Sequence, residues 1–181
     1  MQNDKIAIFI DGNNLYHRLK EIPLTSPRSS LDYNALALLL AGREKIVARR
    51  YYIGAVREEA GNPRSSKLMA AQQRFVSKLQ REKWAVVFGQ LLKTGDSYHE
   101  KGVDVQIAVD LLVGAYEDLY DRAVLVSSDS DLIPALTKVR AKGKKVEYVG
   151  FSHAPSHALI TNSDIRRLLR IEEIESLCAE R

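Results

Sequence analysis

Ile6-Ala7-Ile8-Phe9-Ile10-Asp11-Gly12-Asn13-Asn14-Leu15 is the stretch from which the fold can be read. Its apolar half lacks polar alternation, as a strand does when both faces of a parallel sheet are covered. It then breaks into Asp-Gly-Asn-Asn, residue types that turn the chain and cap a helix. Four more runs share its character, at residues 46–53, 84–88, 123–126 and 146–151. Between the runs, apolar residues recur at three and four: Leu36, Leu39 and Leu40; Leu68, Ala71, Phe75 and Leu79; Leu111, Leu112, Ala115 and Leu119; Leu132, Leu136 and Val139. Alternation of this kind predicts a doubly wound α/β fold, with helices on both faces of a central parallel sheet.

The punctuation agrees with that pattern. Ser30 and Asp32 can cap the second helix, and Gly42 can close it. Pro134 falls in the first turn of a helix, where its missing N–H costs little, and Gly143 ends that helix. Long polar linkers are expected at residues 23–30, 57–66 and 93–101. The charged segment 166–181 is expected to be a partly helical tail. With 181 residues, the chain is expected to form one domain, its core spanning about residues 5–174.

Composition narrows the function classes. A 45% hydrophobic and 28% charged chain is ordinary for a globular protein. A single cysteine, Cys178, excludes an intrachain disulfide and a cysteine-based zinc site. No run approaches the ~20 apolar residues of a membrane span, and the short apolar start does not resemble a signal peptide. A reducing, cytoplasmic location is the expectation. The net charge of +4 permits a polyanionic partner without demanding one.

The acidic residues are more informative. The first run ends on Asp11, and the fourth leads into Ser127-Ser128-Asp129-Ser130-Asp131. In open α/β sheets, ligands bind outside the carboxyl ends of the strands, where the strand order reverses. With order 3-2-1-4-5, the first and fourth strands are neighbours and Asp11 faces Asp129. Asp104 opens the helix that follows the third strand, so chain direction brings it to the same end. Each aspartate is also placed to cap or open its helix. The convergence of all three favours a divalent cation, and an all-oxygen donor set points to Mg²⁺ or Mn²⁺. Asp110 lies six residues beyond Asp104 and points elsewhere, which suits a supporting or structural role. Asn14 can cap or hydrogen-bond.

These stretches resemble the NYN domain family, in its LabA-like branch, of the PIN-like nuclease superfamily. The matching motifs are residues 9–15, residues 101–110 from Lys101 through Asp104 to Asp110, and residues 126–132 followed by Pro134. The resemblance spans about residues 5–174. It implies a Rossmann-like PIN fold and metal-dependent hydrolysis of phosphodiesters, usually in RNA. Asp11, Asp104 and Asp129 match the family's metal-binding aspartates, and Asp131 matches a fourth acidic position. Ser127 falls where the superfamily has Ser or Thr beside the acidic centre. Asn14 matches the Asn after Asp-Gly-x, and Lys101 and Asp110 match common positions. A further carboxylate of many PIN domains has no clear counterpart: Glu44, Glu58 and Glu59 are poor candidates.

Such a site would cleave by in-line attack of an activated water, with no serine or cysteine nucleophile. A phosphate backbone also needs cations beside the acidic centre. Lys93, Lys101, His99 and Arg28 are candidates at the active end, with Tyr98 available to stack on a base. Arg57, Arg64 and Lys67 surround the second-strand connection. Single-stranded RNA is the favoured partner, with DNA as the variant and an oligomer compatible with the sequence. A non-catalytic nucleic-acid binder or scaffold of the same fold is the alternative. A haloacid-dehalogenase-type phosphatase would need an Asp where Asn13 stands, and Gly12-Asn13-Asn14 lacks the glycine spacing of a dinucleotide site.

Overall fold

The computed structural model describes residues 4–56, 62–94 and 97–178, giving the backbone alone for 90–94 and 97–101. The described chain runs β1 (Lys5–Asp11), α1 (Gly12–Lys20), α2 (Tyr33–Ala41), β2 (Lys45–Ile53), α3 (Pro63–Arg81), β3 (Ala85–Phe88), β4 (Gln90–Thr94), β5 (Ser97–Lys101), α4 (Val103–Tyr116), β6 (Arg122–Val126), α5 (Ile133–Ala141), β7 (Lys145–Phe151), α6 (His157–Thr161), β8 (Ile165–Leu169) and α7 (Ile171–Cys178). Short 3₁₀ turns lie at Arg28–Ser30 and Ser130–Leu132.

Six strands form an all-parallel sheet in the order β3-β2-β1-β6-β7-β8. The five apolar runs supply its first five strands in the expected order. Residue parity separates the two faces of β1. Ile6, Ile8 and Ile10 pack with α1, α2 and α7, while Ala7 and Phe9 pack with α4, α5 and α6. Period-2 alternation with both faces buried explains why these strands read as continuous apolar runs.

Three segments differ from the sequence expectations. Residues 166–169 belong to a sixth strand rather than to a tail. Arg166 is exposed on this edge strand, and Arg167 reaches back to donate to the Leu39 carbonyl at 3.1 Å. Charged side chains are normal on an edge strand, and here they masked its pattern. Beyond it, Ile174, Leu177 and Cys178 of α7 are buried in the core, and the Asp32 amide donates to the Leu177 carbonyl at 2.9 Å. Second, α3 begins within the expected linker, because Pro63 occupies its first turn and the Asn62 side chain caps it at the Arg64 amide, 3.1 Å away. Third, the expected loop at 93–101 lies within an antiparallel hairpin, β4 against β5.

Most of the punctuation stands where it was expected, except that Ser30 does not cap α2: it lies in the Arg28–Ser30 turn and its hydroxyl faces the carbonyls of Pro27 and Cys178. Asp32 accepts from the Ala35 amide at 2.8 Å, Gly42 ends α2 at φ +59°, and Gly143 follows α5 at φ +77°.

Candidate active site at the carboxyl edge of the sheet

The register between β1 and β6 sets the centre of the site. Ile10 pairs with Val126, so the next residues, Asp11 at the end of β1 and Ser127 just past β6, stand side by side. Both share the parity of Phe9 and Leu125 and therefore face the side covered by α4. Here the strand order reverses, since β1 connects onward to β2 on one side and borders β6 on the other.

Asp11 is buried, 5% exposed, and so is Ser127. The Asn14 amide donates to Asp11 Oδ1 at 3.0 Å, which starts α1. The Ser127 hydroxyl donates to Asp11 Oδ2 at 3.0 Å and accepts the Asp129 amide at 3.1 Å. Asp129 Oδ1 in turn accepts from the Asp131 amide at 2.9 Å. The Asn14 side chain closes the circuit by accepting the Ser128 amide at 3.0 Å. Asp11 thus caps α1 as foreseen, while Asp129 caps the Ser130–Leu132 turn that leads into α5 rather than α5 itself. A carboxylate offers about four lone-pair sites, so capping leaves acceptor capacity toward a ligand.

Gly12 makes the close approach possible. A Cβ there would land on the Tyr51 ring and stand 2.6 Å from the Tyr52 carbonyl oxygen. Across the site, Gly102 precedes α4 at φ +87°, a conformation that suits glycine. Asp104 follows in the first turn of α4, exposed, where the positive end of the helix dipole favours a carboxylate. Asp11 and Asp104 line one open cleft of about 710 Å³ together with Asn13, Asn14, His17 and Val105.

Burial pushes the Asp11 carboxyl above its ordinary value of 3.8. The hydrogen bonds from Asn14 and Ser127 oppose that rise, and the negative charge of Asp129 adds to it. A cation beside Asp11 would offset both the burial and the repulsion. The oxygen-only donors also suit Mg²⁺ or Mn²⁺, so the residues fit such an ion chemically. Among the described residues, no group of three His, Cys, Asp or Glu side chains stands close enough to hold one. Asp11 and Asp104 share the cleft, and Asp129 joins Asp11 through Ser127.

The remaining candidates are dispersed. Asp131 is exposed beside Asp129. Asp110 is held by Arg50 at 2.9 Å, the Tyr52 hydroxyl at 2.8 Å and Gln106 at 3.0 Å, away from the cleft lining. Arg28 caps the end of α1, donating to the carbonyls of Leu19, Lys20 and Ile22 at 2.7, 3.3 and 3.2 Å. Lys93, Tyr98, His99 and Lys101 lie in the hairpin, with side chains outside the described residues; Arg57, Glu58 and Glu59 are also outside them. Glu44 pairs with Arg122 at the opposite end of the sheet. Two polar lining residues, Asn13 and His17, were not singled out by sequence. Their spacing of four on α1 was the available signal, since it places them on one helical face.

The chain belongs to the NYN domain family, which matches residues 5–168 and thus spans β1 almost to the end of β8. That family places it in the PIN-like nuclease superfamily, whose members generally use divalent metal ions on nucleic acids. Its fold is similar to a crystal structure of a protein of unknown function from Vibrio parahaemolyticus RIMD 2210633. The two share 24% identity over 93% of this chain and 94% of that one, with a TM-score of 0.71. A comparison with curated proteins finds no significant match. No helix among the described residues is long and apolar enough to cross a membrane.

Proposed function

We propose that this protein is a metal-dependent nuclease of the LabA-like branch, acting on single-stranded RNA through Asp11, Asp104 and Asp129. The observation that carries this reading is the buried Asp11 carboxylate. It is hydrogen-bonded through Ser127 toward Asp129, and it shares an open cleft with Asp104 at the sheet's switch point. Asp11 and Asp104, which share the cleft, would hold Mg²⁺ or Mn²⁺, and Asp129 would join them by moving closer than it stands here. When bound, the ion supplies a water of lowered pKa and neutralises charge on the phosphate. The chain's own part is orientation. Ser127 and Asn14 fix the Asp11 carboxylate and brace the Asp129 loop, which limits reorganisation as substrate charge shifts. Asp104, exposed on α4, is placed to meet an ion from the other wall. The open cleft suits a flexible strand.

The test is cleavage of single-stranded RNA and DNA of matched sequence, with Mn²⁺ or Mg²⁺, by wild type and Asp129→Asn. Wild type should cut RNA faster than DNA, and the variant should lose roughly 100-fold or more in rate while still binding. Cleavage left intact by Asp129→Asn would assign the activity to a contaminant. RNA binding without cleavage under either metal would replace the nuclease with a binder of the same fold.

A further inference from the structure

A second pocket, of about 590 Å³, opens beside the acidic cleft, and the two share Asn13. Four aromatic rings stand in its otherwise mostly aliphatic lining: Tyr16 from α1, Tyr33 from α2, Tyr51 from β2 and Phe75 from α3. The last three meet edge to face, with ring centroids 5.4 to 5.5 Å apart. Tyr16 is 55% exposed at the rim, with the Lys20 ammonium 5.4 Å from its ring centroid. Gly12 also lines the pocket, and its missing Cβ lets the Tyr51 ring lie against the start of α1. One dipeptide, Gly12-Asn13, therefore separates a carboxylate site from an aromatic pocket.

We infer that this pocket receives a nucleobase of the strand whose phosphate lies at Asp11 and Asp104. This deepens the nuclease reading and rests on it for the identity of the strand. The volume falls within the range of small-ligand sites. Aromatic rings in the lining match a base, which offers a π-face whatever its sequence. The polar groups nearby are largely engaged. The Gln72 amide bonds both the Gly54 carbonyl, at 2.5 Å, and the Val56 amide, at 2.8 Å, while Arg28 is held by the carbonyls ending α1. The other polar side chains of the lining, Asn13 and Ser29, are exposed rather than fixed in the pocket, so it selects for a base over no base and discriminates weakly among bases.

The experiment is an NMR titration of the full chain with adenosine 5′-monophosphate, uridine 5′-monophosphate and ribose 5-phosphate at fixed ionic strength. The two nucleotides should bind roughly 5- to 100-fold tighter than ribose 5-phosphate, the weight of one stacked base. They should differ from each other far less. Ala71→Phe, at an exposed position of α3 that lines the pocket, should fill it and abolish the preference for a base without lowering the melting temperature. Tyr16→Ala, at the exposed rim, should weaken nucleotide binding in the same direction and guards against a folding defect in the first variant. Equal affinity for all three ligands in wild type would overturn the inference. So would a preference that survives Ala71→Phe. RNA cleavage combined with equal affinities would keep the nuclease and remove the pocket. Pocket-dependent nucleotide binding without any cleavage would do the reverse.

Discussion

Ser127 donates its hydroxyl proton to Asp11 at 3.0 Å while accepting the Asp129 amide at 3.1 Å, so one buried hydroxyl orients two carboxylate-bearing segments. The relationship follows from strand register, because Asp11 and Ser127 are the first residues past the paired Ile10 and Val126.

Ser127→Ala should therefore do more than remove one bond. It leaves a buried carboxylate oxygen without its donor and frees the amide that starts the Ser130–Leu132 turn. A cost of about 1–3 kcal/mol is expected, since an unsatisfied buried acceptor loses its solvation without compensation. Urea unfolding measures it, and a loss near zero would mean that Ser127 is not bonded as described.

Asp11 also makes stability depend on pH. Its native carboxyl titrates above the ordinary value of 3.8, chiefly through burial. A raised native value means that the folded chain binds the proton more tightly than the unfolded chain. The contribution is thus fully present below the ordinary value and is lost as pH rises through the native one. Asp11→Asn keeps the shape and removes the charge. In the presence of a chelator it should be more stable than wild type at neutral pH, and the difference should shrink toward pH 3–4, around the ordinary carboxyl range. Denaturant unfolding across that range checks the sign, and a less stable variant at neutral pH would refute it.

Asp110 offers a contrast. Its carboxylate accepts from Arg50, Tyr52 and Gln106 and ties α4 to β2. Burial, with the hydrogen bond to Asp110 second and the Asp110 charge third, pushes the Tyr52 phenol well above its ordinary value. Asp110→Ala should cost about 1–3 kcal/mol, because the buried Tyr52 hydroxyl loses its acceptor. Asp110→Ala with Tyr52→Phe should recover part of that loss. If the double variant is as unstable as the sum of the singles, the hydroxyl–carboxylate bond is not what Asp110 supplies.

How much of this was legible in sequence depended on where the signal lay. β1, β6 and β7 announced themselves because burial on both faces leaves them almost wholly apolar; β2, despite Arg49 and Arg50, and edge strand β3 were still legible from their Val, Ile and aromatic residues. Edge strand β8 did not, since Arg166 and Arg167 interrupt a segment whose Leu169 is buried. Asp11, Ser127 and Asp129 were legible because motif and strand end coincide. Arg28 looked like a free cation, and only tertiary structure shows its guanidinium bonded to the carbonyls that end α1. The aromatic pocket was hidden for the same reason: Tyr16, Tyr33, Tyr51 and Phe75 are far apart in sequence and come from four elements.

Metal binding should appear as stability before it appears as turnover. An ion that binds the folded chain at tenfold over its dissociation constant stabilises by about 1.4 kcal/mol. For a chain of this size that raises the melting temperature by roughly 3–6 °C. Mn²⁺ should produce such a shift in wild type, and Mg²⁺ should follow at higher concentration. Asp104 is exposed, so Asp104→Asn should leave the metal-free melting temperature nearly unchanged while removing most of the shift. Asp11→Asn should also remove the shift, but from a raised metal-free baseline. That pair of outcomes separates ion binding from general stabilisation by ionic strength, which would act on all three proteins alike. An undiminished shift in both variants would place the ion elsewhere and end the assignment of Asp11 and Asp104 as its ligands.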